Sequence, residues 1–204
     1  MKVFICGTDT SVGKTVISSW LAVHTKATYF KPIQTGTSEG TDSIEVKNLS
    51  RTKINRESFV YKEALSPHLA AKIENKNIDI DKIRLPQEEH LIVEGAGGLL
   101  VPINDKCFII DLIKMLNIPV ILVTHTKLGT INHTLLSIEA LRMRNIEILG
   151  VIMNGQDNNQ SKEAIEFYGK VQVVAEFPYL NKIDYDVLKS ILLPEKFIQV
   201  LKGR

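Results

Sequence analysis

Short runs of β-branched and apolar residues alternate along this chain with segments in which apolar residues return every three or four positions. Residues 2–6, 28–30, 90–93, 120–124, 147–153 and 171–175 read as strands, and most are apolar throughout. Such runs fit strands buried on both faces of a parallel sheet. Between them, Val16, Ile17, Trp20 and Leu21 form one helical stripe; Phe108, Ile109, Leu112, Ile113 and Leu116 form a second; Ile131, Leu135, Ile138 and Met143 form a third. Each stripe predicts a helix with one buried face. Strand and helix in alternation predict an α/β fold: a three-layer, doubly wound, mostly parallel sheet that offers ligands the carboxyl ends of its strands. Residues 154–160 are polar and read as a loop. Residues 55–89 show no clear period, although Ser66-Pro67-His68-Leu69-Ala70-Ala71 reads as a helix start with proline in its first turn.

Composition narrows the picture. At 204 residues and 44% hydrophobic, the chain suits a single domain over residues 1–204 with a substantial core. A formal charge of +2 is too small for a protein that coats nucleic acid, so any phosphate chemistry must be local. Two cysteines, Cys6 and Cys107, make neither a disulfide framework nor a four-ligand zinc site. The first six residues are too short for a secretory apolar region. The strongest apolar run, 118–123, is interrupted by Pro119 and falls far below the ~20 residues that span a bilayer. The expectation is a cytoplasmic protein without a membrane partner.

The first strand leads directly into Gly7-Thr8-Asp9-Thr10-Ser11-Val12-Gly13-Lys14-Thr15 and then into the first helical stripe. In a P-loop the turn amides and helix start face phosphate, the lysine adds a point charge, and the threonine hydroxyl reaches Mg²⁺. The strict pattern places glycine where Thr8 stands, with Gly7 displaced by one, so the order of strand, turn, Gly-Lys-Thr and helix carries the assignment. The second strand ends in Phe30-Lys31-Pro32-Ile33-Gln34-Thr35-Gly36-Thr37, which a parallel sheet places on the same edge. Lys31 is then either a solvated surface lysine or a cation aimed at the phosphates. The second role requires a closed, dry site, because a charge pair at ~4 Å is worth about 1 kcal/mol in water and about 4 at an effective dielectric near 20.

In His90-Leu91-Ile92-Val93-Glu94-Gly95-Ala96-Gly97-Gly98, Glu94 stands at the end of an apolar strand, where an acid near Mg²⁺ is commonly held. Asp42 is either a third oxygen donor or a helix-capping acid. Thr130, in Thr124-His125-Thr126-Lys127-Leu128-Gly129-Thr130-Ile131-Asn132-His133, is a candidate helix N-cap, and the amides of that helix start are an alternative site for a carboxylate. His125 and His133, eight residues apart, lack metal-site spacing.

Together these blocks, spanning residues 7–133, closely resemble the dethiobiotin synthetase family of P-loop NTPase-like enzymes, which catalyse the penultimate step of biotin synthesis. The resemblance implies ATP- and Mg²⁺-dependent closure of a cyclic urea from 7,8-diaminononanoate and CO₂. A carbamate forms first, ATP phosphorylates it, and the second amine displaces phosphate. Carried over by position, Lys14 and Lys31 are the catalytic cations, and Thr15, Asp42 and Glu94 hold the metal. The nucleotide would lie along Ser11, Val12, Gly13, Lys14, Thr15 and Val16, against Gly95, Ala96 and Gly97. Asn154, Gly155, Pro178, Tyr179 and Leu180 would flank the base. Thr10, Lys31 and Thr35 would touch the diamine or its carbamate. Gly129, Thr130, Ile131 and Asn132 would bind the substrate carboxylate from the neighbouring subunit of a homodimer.

The chain departs from the family in three places. Ser11 stands where the family often has glutamate, and Asn154 is followed by Gly155 rather than by aspartate. Past Asp157 the likeness thins to Phe177-Pro178-Tyr179-Leu180. Two rivals share the P-loop. Partitioning and septum-placing ATPases carry an extra lysine early in the loop, which positions 8–12 lack, and Pro194 splits the apolar segment 188–202 that would serve as their membrane helix. A kinase that stops after phosphorylation has no use for the block at 129–132.

Overall fold

The computed structural model describes residues 1–203, without the side chain of Glu39. In chain order the elements are β1 (Lys2–Gly7), α1 (Lys14–Thr25), β2 (Thr28–Phe30), β3 (Ile33–Gln34), α2 (Asp42–Ser50), β4 (Ile54–Asn55), β5 (Phe59–Val60), α3 (Pro67–Ile73), β6 (Leu91–Gly98), α4 (Ile109–Leu116), β7 (Val120–His125), α5 (Thr130–Met143), β8 (Ile148–Gly155), α6 (Asn159–Gly169), β9 (Val173–Pro178), α7 (Tyr185–Ser190) and α8 (Glu195–Lys202). Seven strands form one sheet in the order β4-β2-β6-β1-β7-β8-β9, and every pairing is parallel. The apolar runs are the reason: Val3, Phe4, Ile5, Ile92, Val93, Ile121, Leu122 and Ile152 are fully buried, which strands achieve only with helices on both faces.

One face is covered by α1, α2, α7 and α8 through Ile17, Trp20, Val46, Leu188 and Phe197. The other is covered by α3 to α6 through Ala70, Ile109, Ile113, Ile138 and Ile165. This is the expected three-layer architecture. Crossovers bring the ends of β1, β2 and β6 together on one edge, with β6 lying between β1 and β2. No helix among the described residues is long and apolar enough to cross a membrane.

The fold departs from the sequence reading in four places. β6 and β8 run on through glycine-containing residues to Gly98 and Gly155, held by pairings such as Gly7 with Gly98 and His125 with Asn154. The expected loop at 154–160 is therefore strand at its start and helix from Asn159, with Asn158 accepting from the Ser161 amide as the cap. Met143 does not belong to a buried stripe: it is the last residue of α5 and 77% exposed. Phe108 is the N-cap of α4 and likewise exposed. Residues 55–89 hold β5 and α3; β5 pairs with β3 in a separate sheet of two-residue strands. Pro67 opens α3 behind the Ser66 cap position, as the proline rule predicts.

Trp20 fastens the carboxyl-terminal segment to α1. Its ring meets Phe177 edge-on with centroids 5.1 Å apart, and its Nε1 donates to the Ile191 carbonyl at 2.6 Å. Trp20→Phe should lose that bond and some volume, lowering unfolding stability by about 1–2 kcal/mol, and Trp20→Ala by about 3–5 kcal/mol. Urea denaturation followed by far-ultraviolet circular dichroism checks both values.

Candidate active site

The loop between β1 and α1 turns on two left-handed residues, Ser11 at φ 59° and Gly13 at φ 94°. Gly13 is the residue from which α1 departs. A methyl there would lie 2.0 Å from Asn154 Nδ2, so both backbone and packing require glycine. Gly7 also has a packing reason. A methyl on it would lie 2.8 Å from Val12 Cγ2 and 2.9 Å from the Asp9 carbonyl, so the loop folds back over the place where a side chain would be. Lys14 arches back along the loop and donates to the Asp9 carbonyl at 2.9 Å. Burial pushes its ammonium below the ordinary lysine value, with Glu94 pulling the other way.

Beside the loop lies a buried ionic cluster. Lys31 Nζ is 2.5 Å from Asp42 Oδ2 and 3.1 Å from Glu94 Oε1. Lys31 is 4% exposed and Glu94 1%, which is the dry setting this lysine needs to act at a distance. Thr15 Oγ1 bridges the two acids, 3.1 Å from Asp42 Oδ1 and 3.0 Å from Glu94 Oε1. Burial alone would lower the Lys31 ammonium, but the Glu94 and Asp42 carboxylates outweigh it and hold it above the ordinary value. For Asp42, burial works upward; the Lys31 ammonium, with hydrogen bonds from Thr15 and Gln34, overcomes it and holds the carboxyl below its ordinary 3.8.

The alternatives for Asp42 now separate. Thr41 is the N-cap of α2, accepting from the Ile44 amide, and Asp42 is free to face Lys31 and Thr15. Two supporting residues escaped the sequence reading. Ser18, one turn beyond Thr15 on α1, donates to Glu94 Oε2 at 2.7 Å, and both groups are buried. Gln34 accepts the Asp42 amide on its Oε1 and donates its Nε2 to the Thr35 carbonyl. The spacing from Thr15 to Ser18 puts both hydroxyls on one helix face, a signal that was available.

A cleft of about 1130 Å³ opens over this cluster. It is lined by Thr10, Ser11, Gly13, Lys14, Thr15 and Val16 from the loop and the start of α1, by Lys31, Gln34, Thr35 and Asp42, and by Glu94, Ala96 and Gly97 of β6. Gly95 is turned away, into the core against Phe4 and Ile109, and Val12 is buried. Gly129, Thr130, Ile131 and Asn132 do not line this cleft, nor do Asn154, Gly155, Pro178, Tyr179 or Leu180. Thr130 is not an N-cap. Gly129 occupies that position, while Thr130 is the first helical residue, with its hydroxyl bonded to the His125 carbonyl and Thr124 Oγ1. The His125 and His133 rings meet edge-on, 6.5 Å apart.

The donor set suits a hard divalent cation that shares its shell with phosphate. Among the described residues no group of three His, Cys, Asp or Glu side chains could hold a metal alone. Mg²⁺ in nucleotide sites takes one or two carboxylates and completes its octahedron with phosphate oxygens and water. Asp42, Glu94 and the Thr15 hydroxyl fit that need.

A parallel sheet whose central strand feeds a phosphate loop, flanked by a lysine clamped between two acids, defines a P-loop nucleotide-dependent protein. The family described as AAA domain matches residues 1–186. The ATP-dependent dethiobiotin synthetase of Lawsonia intracellularis is 52% identical over 200 residues, covering 98% of each chain, and that of Paramagnetospirillum magneticum is 49% identical over 89% of each. The chain belongs to the dethiobiotin synthetase family. Among solved structures, a plasmid partition protein of Borrelia burgdorferi bound to AMPPNP superposes with a TM-score of 0.59 at 10% identity, covering 99% of this chain and 98% of that one. The MinC:MinD complex of Aquifex aeolicus gives 0.58 at 13% identity, covering 100% and 96%. At such identities the likeness is one of fold.

Two predictions follow from the cluster. Ser18→Ala strands a buried carboxylate oxygen and should lower stability by about 1–3 kcal/mol, measured by urea unfolding at neutral pH. Because Asp42 titrates lower when folded than when unfolded, its contribution is full above about pH 4 and is lost as pH falls through the folded value. Asp42→Asn should therefore lose stability less steeply than the parent between about pH 4 and pH 2, in the same assay repeated across pH.

Proposed function

We propose that the protein makes dethiobiotin from 7,8-diaminononanoate, CO₂ and ATP, releasing ADP and phosphate. One amine adds to CO₂ and loses a proton, giving a carbamate. A carbamate oxygen takes the γ-phosphoryl group from ATP. The second amine then attacks the carbamate carbon, loses its proton and expels phosphate, closing the cyclic urea. None of these steps needs a protein nucleophile; each needs positioned reactants and neutralised oxyanions.

The observation that carries this reading is Lys31, buried between Asp42 and Glu94 beside the P-loop threonine. An ammonium has three donors, and the two carboxylates engage two of them. The third is left for an oxygen of the ligand in the cleft that Lys31 lines, where carbamate and transferring phosphoryl would meet. Held above its ordinary pKa, Lys31 acts as a fixed cation and not as a base. Lys14 supplies charge to the β- and γ-phosphates, and the amides after Ser11 cradle them. Thr15, Asp42 and Glu94 would hold Mg²⁺, which when bound neutralises charge on the phosphate oxygens. Thr10 and Thr35 face the diamine end of the substrate.

The second part of the reading is a homodimer. Residues 129–132 stand at the start of α5, outside the cleft of their own chain, and Leu128 beside them is fully exposed. A neighbouring copy that presents these helix-start amides would bind the substrate carboxylate. Asn154 and Gly155 with Pro178, Tyr179 and Leu180 stand at the ends of β8 and β9, on the edge where a base would lie. A cytoplasmic setting suits the two unpaired cysteines.

The test is mass detection of the cyclic urea from diaminononanoate, bicarbonate, Mg²⁺ and ATP. Lys14→Ala and Lys31→Ala should each lower turnover by about 10²–10³-fold with the helical circular dichroism signal retained. A stable phosphorylated product in place of the urea would mark a kinase instead.

A further inference from the structure

Asn154 reaches the phosphate loop from outside it. It is the penultimate residue of β8, two strands from β1 in the sheet, yet its Nδ2 donates to the Val12 carbonyl at 2.9 Å. Val12 and Gly13 share one peptide unit, and Gly13, at φ 94°, is the residue on which the loop turns into α1. The contact is tight: a single added methyl at Gly13 would lie 2.0 Å from the same nitrogen. Asn154 is itself held on both sides, paired with His125 of β7 and Phe177 of β9.

A trans peptide is planar, with its C=O and N–H directed oppositely. Fixing the Val12 oxygen outward on Asn154 therefore directs the Gly13 N–H the other way, towards the cleft that Gly13 lines. Among the described residues no other donor is recorded on the Val12 oxygen, so without the anchor this peptide would be free to turn between phosphate encounters. A donor oriented in advance costs no reordering when the anion arrives.

We propose that Asn154 is a positioning residue for the phosphate loop, orienting the Val12–Gly13 peptide so that its N–H is aimed at the polyphosphate before the nucleotide binds. This rests on the reading of the loop as a triphosphate holder. It differs from a contact with the base, because an anchor on the loop serves any polyphosphate, whether or not a base is attached.

Inorganic tripolyphosphate separates the two. Binding of Mg²⁺-tripolyphosphate and Mg²⁺-ATP is measured by calorimetry for the parent, Asn154→Ala and Asn154→Leu, the leucine keeping the volume without the donor. The anchor predicts that each variant weakens tripolyphosphate between about twofold and tenfold, the worth of one hydrogen bond, and ATP by at least as much, any excess reporting a contact with the base. Hydrogen exchange at residues 9–13 should quicken in the unliganded variants while β1 and α1 keep their protection, which also reports that the variants are folded. Unchanged tripolyphosphate affinity overturns the proposal, whether ATP binding falls or not. A parent chain that binds neither ligand overturns the triphosphate reading itself.

Discussion

A lysine that loses water must keep its counter-charges, and in this protein that constraint organises one edge of the sheet. Removing one partner from a buried ion pair costs about 3–5 kcal/mol, because the remaining charge stays in a medium that solvates it poorly. Lys31, Asp42 and Glu94 come from the end of β2, the start of α2 and the body of β6, and all three must stay within hydrogen-bonding reach. The strand order supplies the means. β6 lies between β2 and β1, with Phe30 paired to Val93 and Ile5 paired to Glu94. Glu94 is thereby presented to Lys31 on one side and to Thr15 and Ser18 of α1 on the other. A one-residue slip of β6 would send Glu94 to the opposite face of the sheet and leave the ammonium half compensated.

The sheet was legible because its strands are buried on both faces and therefore apolar at nearly every position. What escaped was whatever is short or polar. β3 and β5 contribute two residues each, below any period, and the carboxyl ends of β6 and β8 run through Gly95-Ala96-Gly97-Gly98 and Asn154-Gly155, whose strand state comes from pairing and not from propensity. Met143 stands five residues after Ile138, off the three-or-four spacing that keeps side chains on one helix face, and it is Leu141 that continues the buried stripe.

Site residues divide along the same line. Thr15, Lys31, Asp42 and Glu94 stand at motif positions or element ends, and the fold brings them together as the sequence reading expects. Ser18 was hidden among helical residues, and Gln34 among the residues after Lys31, because a side chain that only orients another carries no motif of its own. The contact between Asn154 and Val12 spans 142 residues. No local pattern can carry such a contact; it exists only once β8 has been laid two strands away from β1.

The plasmid partition protein and the MinC:MinD cell division complex share this fold at 10–13% identity, so the fold by itself does not fix the chemistry of the site. The difference must lie in what surrounds the phosphates. Positions 8–12 contain no lysine, and the cation that shares Glu94 with Thr15 is Lys31, the residue that follows β2. A loop lysine moves with its loop, whereas Lys31 is held by two acids belonging to separate elements. That rigidity suits chemistry in which a weak oxygen nucleophile must meet a phosphoryl group at a fixed point. In the proposed reaction the gain would come from charge placed in advance, and the buried pairs of Lys31 with Asp42 and Glu94 hold such a charge in place before any ligand arrives.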